Sequence, residues 1–214
     1  MSGEYERAFS EAVTNPEKFW GAAATKVQWY RHYDQVLNID KPPFYRWFEG
    51  GLVNSCYNAL DYHVEHGRKD RIALIYDSPV TKTVIKFTYG ELRDLVARCA
   101  GGLQALGVVK GERVVIYMPM IPEAVIAMLA CARIGAIHSV VFGGFASREL
   151  ATRIEDAKPR VIVSASCGIE VNRIIPYKPL LDSALAQCSF KPSKCIVVQR
   201  KEAPVDLVQE RDLS

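Results

Sequence analysis

The run Ile116–Phe145, IYMPMIPEAVIAMLACARIGAIHSVVFGGF, constrains the fold of this chain more than any other stretch. Val114 to Tyr117 form an apolar, β-favouring segment that stops at Pro119, which has no N–H to give a strand ladder. Pro122 and Glu123 then open a helix: the proline sits where its missing N–H costs nothing, and the carboxylate faces the positive end of the helix dipole. Val125, Ile126, Met128, Leu129 and Ala132 continue it, and Gly135 provides the stop. No polar residue interrupts between Glu123 and Arg133, which predicts a helix buried over most of its surface. Ile137 to Phe142 is a second apolar run, broken only by His138 and Ser139, and it predicts a strand covered on both faces of a parallel sheet, with His138 a satisfied core histidine. Two parallel strands joined through a helix cross over right-handedly, and open α/β sheets bind ligands beyond the carboxyl ends of their strands. Phe142, Gly143, Gly144 and Phe145 therefore fall at a ligand-facing edge. A glycine pair there fits a tight turn and a binding edge equally well.

The flanking sequence extends this unit. Met1 to Lys26 reads as helical, with Asn15, Pro16 and Glu17 starting a second helix. Gln28 to Phe48 is aromatic and irregular, interrupted by Pro42 and Pro43, and reads as a strap. A helix from Asn54 or Ser55 ends at Gly67. Ile72–Tyr76 and Val84–Thr88 form a hairpin, and Thr88 with Glu91 makes a capping box ahead of Leu92, Leu95, Val96, Cys99, Leu103 and Leu106 at helical spacing. After the glycine pair, Ser147 is expected to cap a helix carrying Leu150, Ala151 and Ile154 inward, ended at Lys158 and Pro159. Val161–Val163 is a strand, Ser166–Arg173 a polar loop at its carboxyl end, Pro179–Ala186 a helix and Cys195–Gln199 a strand. The tail from Arg200 is charged and weakly patterned, which leaves the last strand as an uncovered edge inviting association and marginal solubility.

The fold class that follows is α/β, a doubly wound, largely parallel sheet with flanking helices. A helical and aromatic extension occupies 1–67, the α/β part 68–199 and the charged tail 200–214.

A formal charge of +3 without a basic block gives no reason to expect nucleic acid or a membrane surface as partner, and no apolar stretch is long enough for a membrane span. The acidic start, with Glu4, Glu6, Glu11 and Glu17, argues against a leader and for the cytoplasm; a mitochondrial-matrix chain that has lost its transit peptide is the alternative. Six cysteines without C-x-x-C spacing read as reduced core thiols, Cys167 alone lying in a predicted loop. His63 and His66 lack further ligands for a metal. Neither G-x-G-x-x-G nor G-x-x-x-x-G-K occurs, and no nucleophile–base pair can be assembled, so no catalytic residue is assigned. Arg148, Arg173 and Lys178 are candidate positive charges near the ligand edge.

Three stretches carry a resemblance: WFEGGLVNSCYNALDYHV at Trp47–Val64, IYMPMIPEAVIAMLACARIGAIHSVVFGGFA at Ile116–Ala146 and RIEDAKPRVIVSASCGIE at Arg153–Glu170. They resemble the AMP-forming short-chain acyl-CoA synthetases, and with YKPLLDSAL at Tyr177–Leu185 look more like the propionyl-CoA than the acetyl-CoA branch. The resemblance implies ATP, Mg and CoA as cofactors and a short-chain carboxylate, propionate, as substrate, joined to CoA through an acyl-adenylate. It implies that the CoA nucleotide docks between Phe142, Gly143 and Gly144 on one side and Glu170, Val171, Asn172 and Arg173 on the other. Glu170 stands where acetyl-CoA synthetases usually carry Arg, and Val171–Asn172 departs from a common Pro-Gly. Family enzymes are several times longer, and their phosphate-holding loop, acyl pocket and C-terminal catalytic lysine are expected beyond Ser214. The chain alone is accordingly expected to be inactive in adenylation. The alternative is a non-catalytic CoA-binding or partner-binding form.

Overall fold

The computed structural model describes residues 2–141, 143, 146–171 and 173–214. The chain divides into two compact units between Asn58 and Ala59.

The first unit holds helices α1 (Ser2–Thr14) and α2 (Pro16–Ala24) and four short strands, β1 (Trp29–Arg31), β2 (Gln35–Asn38), β3 (Arg46–Glu49) and β4 (Leu52–Val53). Pro16 occupies the first turn of α2, but Asn15 supplies no side-chain cap. The aromatic stretch expected to be irregular contains two antiparallel ladders, β1 with β4 and β2 with β3. Trp29, Tyr33 and Phe48 form their cluster, with ring centroids 5.1 to 5.5 Å apart. Such edge and tilted ring contacts add to the burial of apolar surface and tie the two short ladders together.

The second unit begins with irregular helical turns, broken by a kink where His66 and Gly67, the latter at φ +75°, leave helical geometry. Strands β5 (Ile72–Ser78) and β6 (Thr83–Thr88) pair as the expected hairpin, a two-stranded sheet of its own. Thr88 and Glu91 start α3 (Tyr89–Ala105) through both capping-box bonds: the Glu91 N–H donates to Thr88 Oγ1 at 3.2 Å, and the Thr88 N–H to Glu91 Oε2 at 2.8 Å. Then come β7 (Arg113–Tyr117), α4 (Pro122–Ile134), β8 (Ile137–Val141), α5 (Ser147–Ala157), β9 (Val161–Ala165), β10 (Cys167–Glu170), β11 (Arg173–Pro176), α6 (Tyr177–Gln187), β12 (Lys194–Val198) and β13 (Asp212–Leu213). Pro122 opens α4 and Gly135 closes it at φ +73°, as their positions require; only Glu123 of this helix is fully exposed.

The main sheet runs β13-β12-β9-β7-β8, and every neighbouring pair is parallel. Helices α3 and α4 pack together, as do α5 and α6. Along β7, Val115 and Tyr117 enter the cluster formed with α5 and α6, so the alternation of a strand sends Val114 and Ile116, equally buried, to the other face. All five residues of β9 are buried, the signature of a central strand. Each such aliphatic side chain removed from water contributes roughly 2 kcal/mol. The chain steps from β7 outward to β8 and then back to β9 on the other side of β7. This reversal places the topological switch at the carboxyl ends of these strands.

Four expectations change. β8 is not covered on both faces: it is the sheet's edge, Ile137 and Val140 are 55% and 53% exposed, and His138 is exposed rather than a core histidine. Ser147 is the first residue of α5, not its cap; its hydroxyl accepts from Gln187 Nε2 at 3.2 Å. Ser166–Arg173 is no loop but largely the hairpin β10–β11, with Glu170 opposite Arg173, and Cys167 is buried in it. The segment after Arg200 supplies β13, so β12 is flanked on both sides. All six cysteines are free and five are buried; burial pushes the Cys131 and Cys195 thiols up to about 12, which leaves them unreactive.

Candidate functional site

A cleft of about 420 Å³ opens at the carboxyl ends of β7, β8 and β9, within the size range of small-molecule sites. Four segments build it. The β5–β6 turn contributes Tyr76 to Thr81; the proline-broken segment after β7 contributes Met118 to Ile121; the end of β8 contributes Val140, Val141 and Gly143; and β10 contributes Gly168 to Glu170, with Ile175, Tyr177 and Arg200 behind them. The segments after β7, β8 and β9 come together because a parallel sheet puts all its strand ends on one side, and the turn of the separate β5–β6 hairpin adds a further wall.

Of the residues anticipated from sequence, Gly143 and Glu170 line this one cleft. Val171 and Arg173 are not among its lining residues, while Phe142, Gly144 and Asn172 lie outside the described residues. Arg173 projects outward, its side chain 73% exposed, and its guanidinium donates to Glu170 Oε2 at 2.9 Å. The pair at the hairpin tip thus satisfies itself, and in solvent it contributes little. Val171 sits at φ +49°, a left-handed conformation that is costly for a β-branched residue. Arg148 is exposed. Lys178 does not offer charge to the ligand edge: it is buried, with its ammonium 2.6 Å from Asp182 Oδ2 and 3.0 Å from Asp212 Oδ2.

Two wall residues were not singled out. Arg200 follows β12, its side chain is 12% exposed, and its guanidinium donates to the Cys167 carbonyl at 3.2 Å while its backbone N–H donates to Ser166 Oγ at 2.9 Å. Its position just past the carboxyl end of a strand was the signal available. Tyr177 opens α6 and packs at a tilt against Tyr117, with ring centroids 4.8 Å apart. Burial raises the affinity of both phenols for their protons, Tyr117 to about 12; Glu170 adds to the effect at Tyr177 and Arg200 opposes it.

The cleft has an apolar floor, one guanidinium and the carboxylates of Asp77 and Glu170. That arrangement can hold a flat or apolar group and fix its orientation by a few polar contacts. Among the described residues no group of three or more His, Cys, Asp or Glu side chains is placed to hold a metal ion.

An open α/β sheet with its cleft at the switch point is an architecture that binds ligands at that place, and sequence comparison identifies the family. The family model of AMP-binding enzymes matches residues 61–212, and that of the acetyl-coenzyme A synthetase N-terminus matches residues 5–59. The chain belongs to the AMP-binding enzyme family. Among its relatives, acyl-CoA synthetase short-chain family member 3, mitochondrial, of Rattus norvegicus is 51% identical over 212 residues, which are 99% of this chain and 31% of that protein. Acyl-CoA synthetase short-chain family member B, mitochondrial, of Dictyostelium discoideum is 51% identical over 94% of this chain and 30% of its own length. Propionate–CoA ligase of Salmonella typhimurium is 46% identical over 98% of this chain and 33% of its own length. The chain spans about a third of the length of these relatives.

Proposed function

We propose that this chain forms the CoA-docking portion of an AMP-forming short-chain acyl-CoA synthetase. The whole enzyme would convert propionate, ATP and CoA to propionyl-CoA, AMP and pyrophosphate through an acyl-adenylate, and residues 1–214 by themselves would not turn over. The observation that carries this reading is the convergence of Gly143 and Glu170 on one cleft at the switch point of the sheet. The residues proposed to meet CoA are Phe142, Gly143 and Gly144 together with Glu170, Val171, Asn172 and Arg173. The apolar floor suits the adenine of CoA and Arg200 suits its phosphates, since a guanidinium matches phosphate geometry. Propionate is favoured by the relative named for that activity, and a mitochondrial location, rather than the cytoplasm, by the relatives named as mitochondrial. Nothing in 1–214 provides a glycine-rich phosphate cradle with its lysine, which is why adenylation is assigned to the whole enzyme.

Two measurements on the purified chain test this. Calorimetric titration is expected to show CoA binding, and absence of binding at millimolar CoA would overturn the docking role. A pyrophosphate-release assay with propionate, ATP and Mg is expected to stay at background; turnover above it would overturn the division of labour.

A further inference from the structure

We propose that Tyr177 is a positioning residue whose ring sets the spacing of the two sides of the cleft. Its ring lies where three adjacent strands end, in contact with Tyr117 at the end of β7, against Gly143 beyond β8 and against Gly168 in β10 beyond β9. The fit leaves no room. A methyl group added at Gly143 would stand 1.7 Å from Tyr177 Oη and 2.7 Å from Cζ, and one added at Gly168 would stand 2.4 Å from Cε2. Neither Gly143 nor Gly168 has a φ in the left-handed region, so a left-handed backbone does not account for the glycine at either position, whereas the space taken by the ring does. The ring is itself fixed: it is 6% exposed, begins α6 and belongs to the core cluster with Leu181 and Leu150. A rigid aromatic wedge of this kind holds backbone segments at one separation, because packed interiors do not deform continuously. What the wedge does for a ligand rests on the CoA-docking reading; what it does to the geometry does not.

The test separates the two. Hydrogen exchange on the 214-residue chain is expected to speed up about tenfold in the peptides carrying Gly143 and Gly168 when Tyr177→Leu removes the ring, while Tyr177→Phe, which keeps it, stays within about twofold of the parent. Unchanged exchange in both peptides would overturn the proposal. Because Tyr177→Leu opens a buried site and can unfold the chain, a double-mutant cycle decides the matter independently. Gly143→Ala and Gly168→Ala are each expected to lower the urea midpoint; adding Tyr177→Phe, which deletes the atom nearest the new methyl at Gly143, is expected to recover more of that loss than of the Gly168→Ala loss, where the clash is with a ring carbon. Equal recovery in both, or none in either, overturns the wedge. With CoA as the probe, Tyr177→Leu is expected to weaken binding about tenfold through lost preorganisation. A parent chain that binds no CoA removes the docking reading and leaves the exchange and cycle results to decide the wedge.

Discussion

The two edges of the five-stranded sheet are built on opposite principles. At one, β13 is only two residues long and carries a carboxylate, Asp212, with a side chain wholly removed from solvent. Asp212 accepts from Arg211 Nε at 2.6 Å, from the Val208 N–H at 2.9 Å and from Lys178 Nζ at 3.0 Å, while Asp182 of α6 takes the remaining reach of both cations. At the other edge, β8 is five residues long, largely apolar, and mostly exposed. An edge can therefore be closed by very little chain when charges lock it to a helix, and an apolar run does not become core unless something packs against it. Charge decides the first edge, and position in the sheet decides the second.

Breaking the charged edge is expected to give the largest effect. Asp212→Ala leaves the ammonium of Lys178 buried with Asp182 as its remaining carboxylate partner among the described residues, and is expected to cost about 3 kcal/mol in urea unfolding. A loss below about 0.5 kcal/mol would show that the lock is ornamental. The same edge should be acid-labile. Burial raises the affinity of Asp212 for a proton, but hydrogen bonds from Arg211, Val208 and Lys178 outweigh it and hold the carboxyl at about 2, below its ordinary 3.8. A carboxyl depressed on folding stabilises the fold above its unfolded value and loses that contribution as pH falls through its folded value. Between about pH 4 and pH 2 the parent should thus lose about 2 kcal/mol that Asp212→Asn does not lose. Parallel acid titrations of unfolding for the two proteins check the sign.

How much of this was legible follows from the distance over which each signal acts. Pro122, Gly135 and the Thr88–Glu91 box act within one helical turn, and the helices they bound were readable residue by residue. The central strands β7, β9 and β12 were readable as apolar runs. β13 was not, because Asp212 and Arg211 acquire meaning only beside Lys178 and Asp182, which lie a whole helix and strand earlier in the chain. The β10–β11 hairpin was missed because Val171 is a poor residue for a tight turn with positive φ, and the register Glu170 to Arg173 imposes it all the same. At the cleft, Gly143 was found by its place after a strand. Tyr177 was not, since a ring that fills two glycine gaps leaves no pattern in a linear sequence. The legible cap supplies a smaller energy than the illegible lock: Thr88→Ala is expected to cost about 1 kcal/mol, measurable in the same urea series, and a cost equal to that of Asp212→Ala would erase the contrast.

The smallest change in stability, with the clearest consequence for association, belongs to the open edge. Val140 is 53% exposed on β8, so Val140→Lys removes little buried surface and should shift unfolding by less than about 0.5 kcal/mol. What it changes is the strand's fitness as a template, because a lysine on a free edge disfavours the approach of a second strand. Light scattering over a range of protein concentration is expected to show self-association in the parent that Val140→Lys suppresses. Leu213→Lys, on the edge already closed by β13 and its ion pairs, should leave that association nearly as it was. If the Leu213 variant proves as effective, or the parent stays monomeric throughout, then β8 is not the adhesive edge and exposure alone does not distinguish the two sides of the sheet.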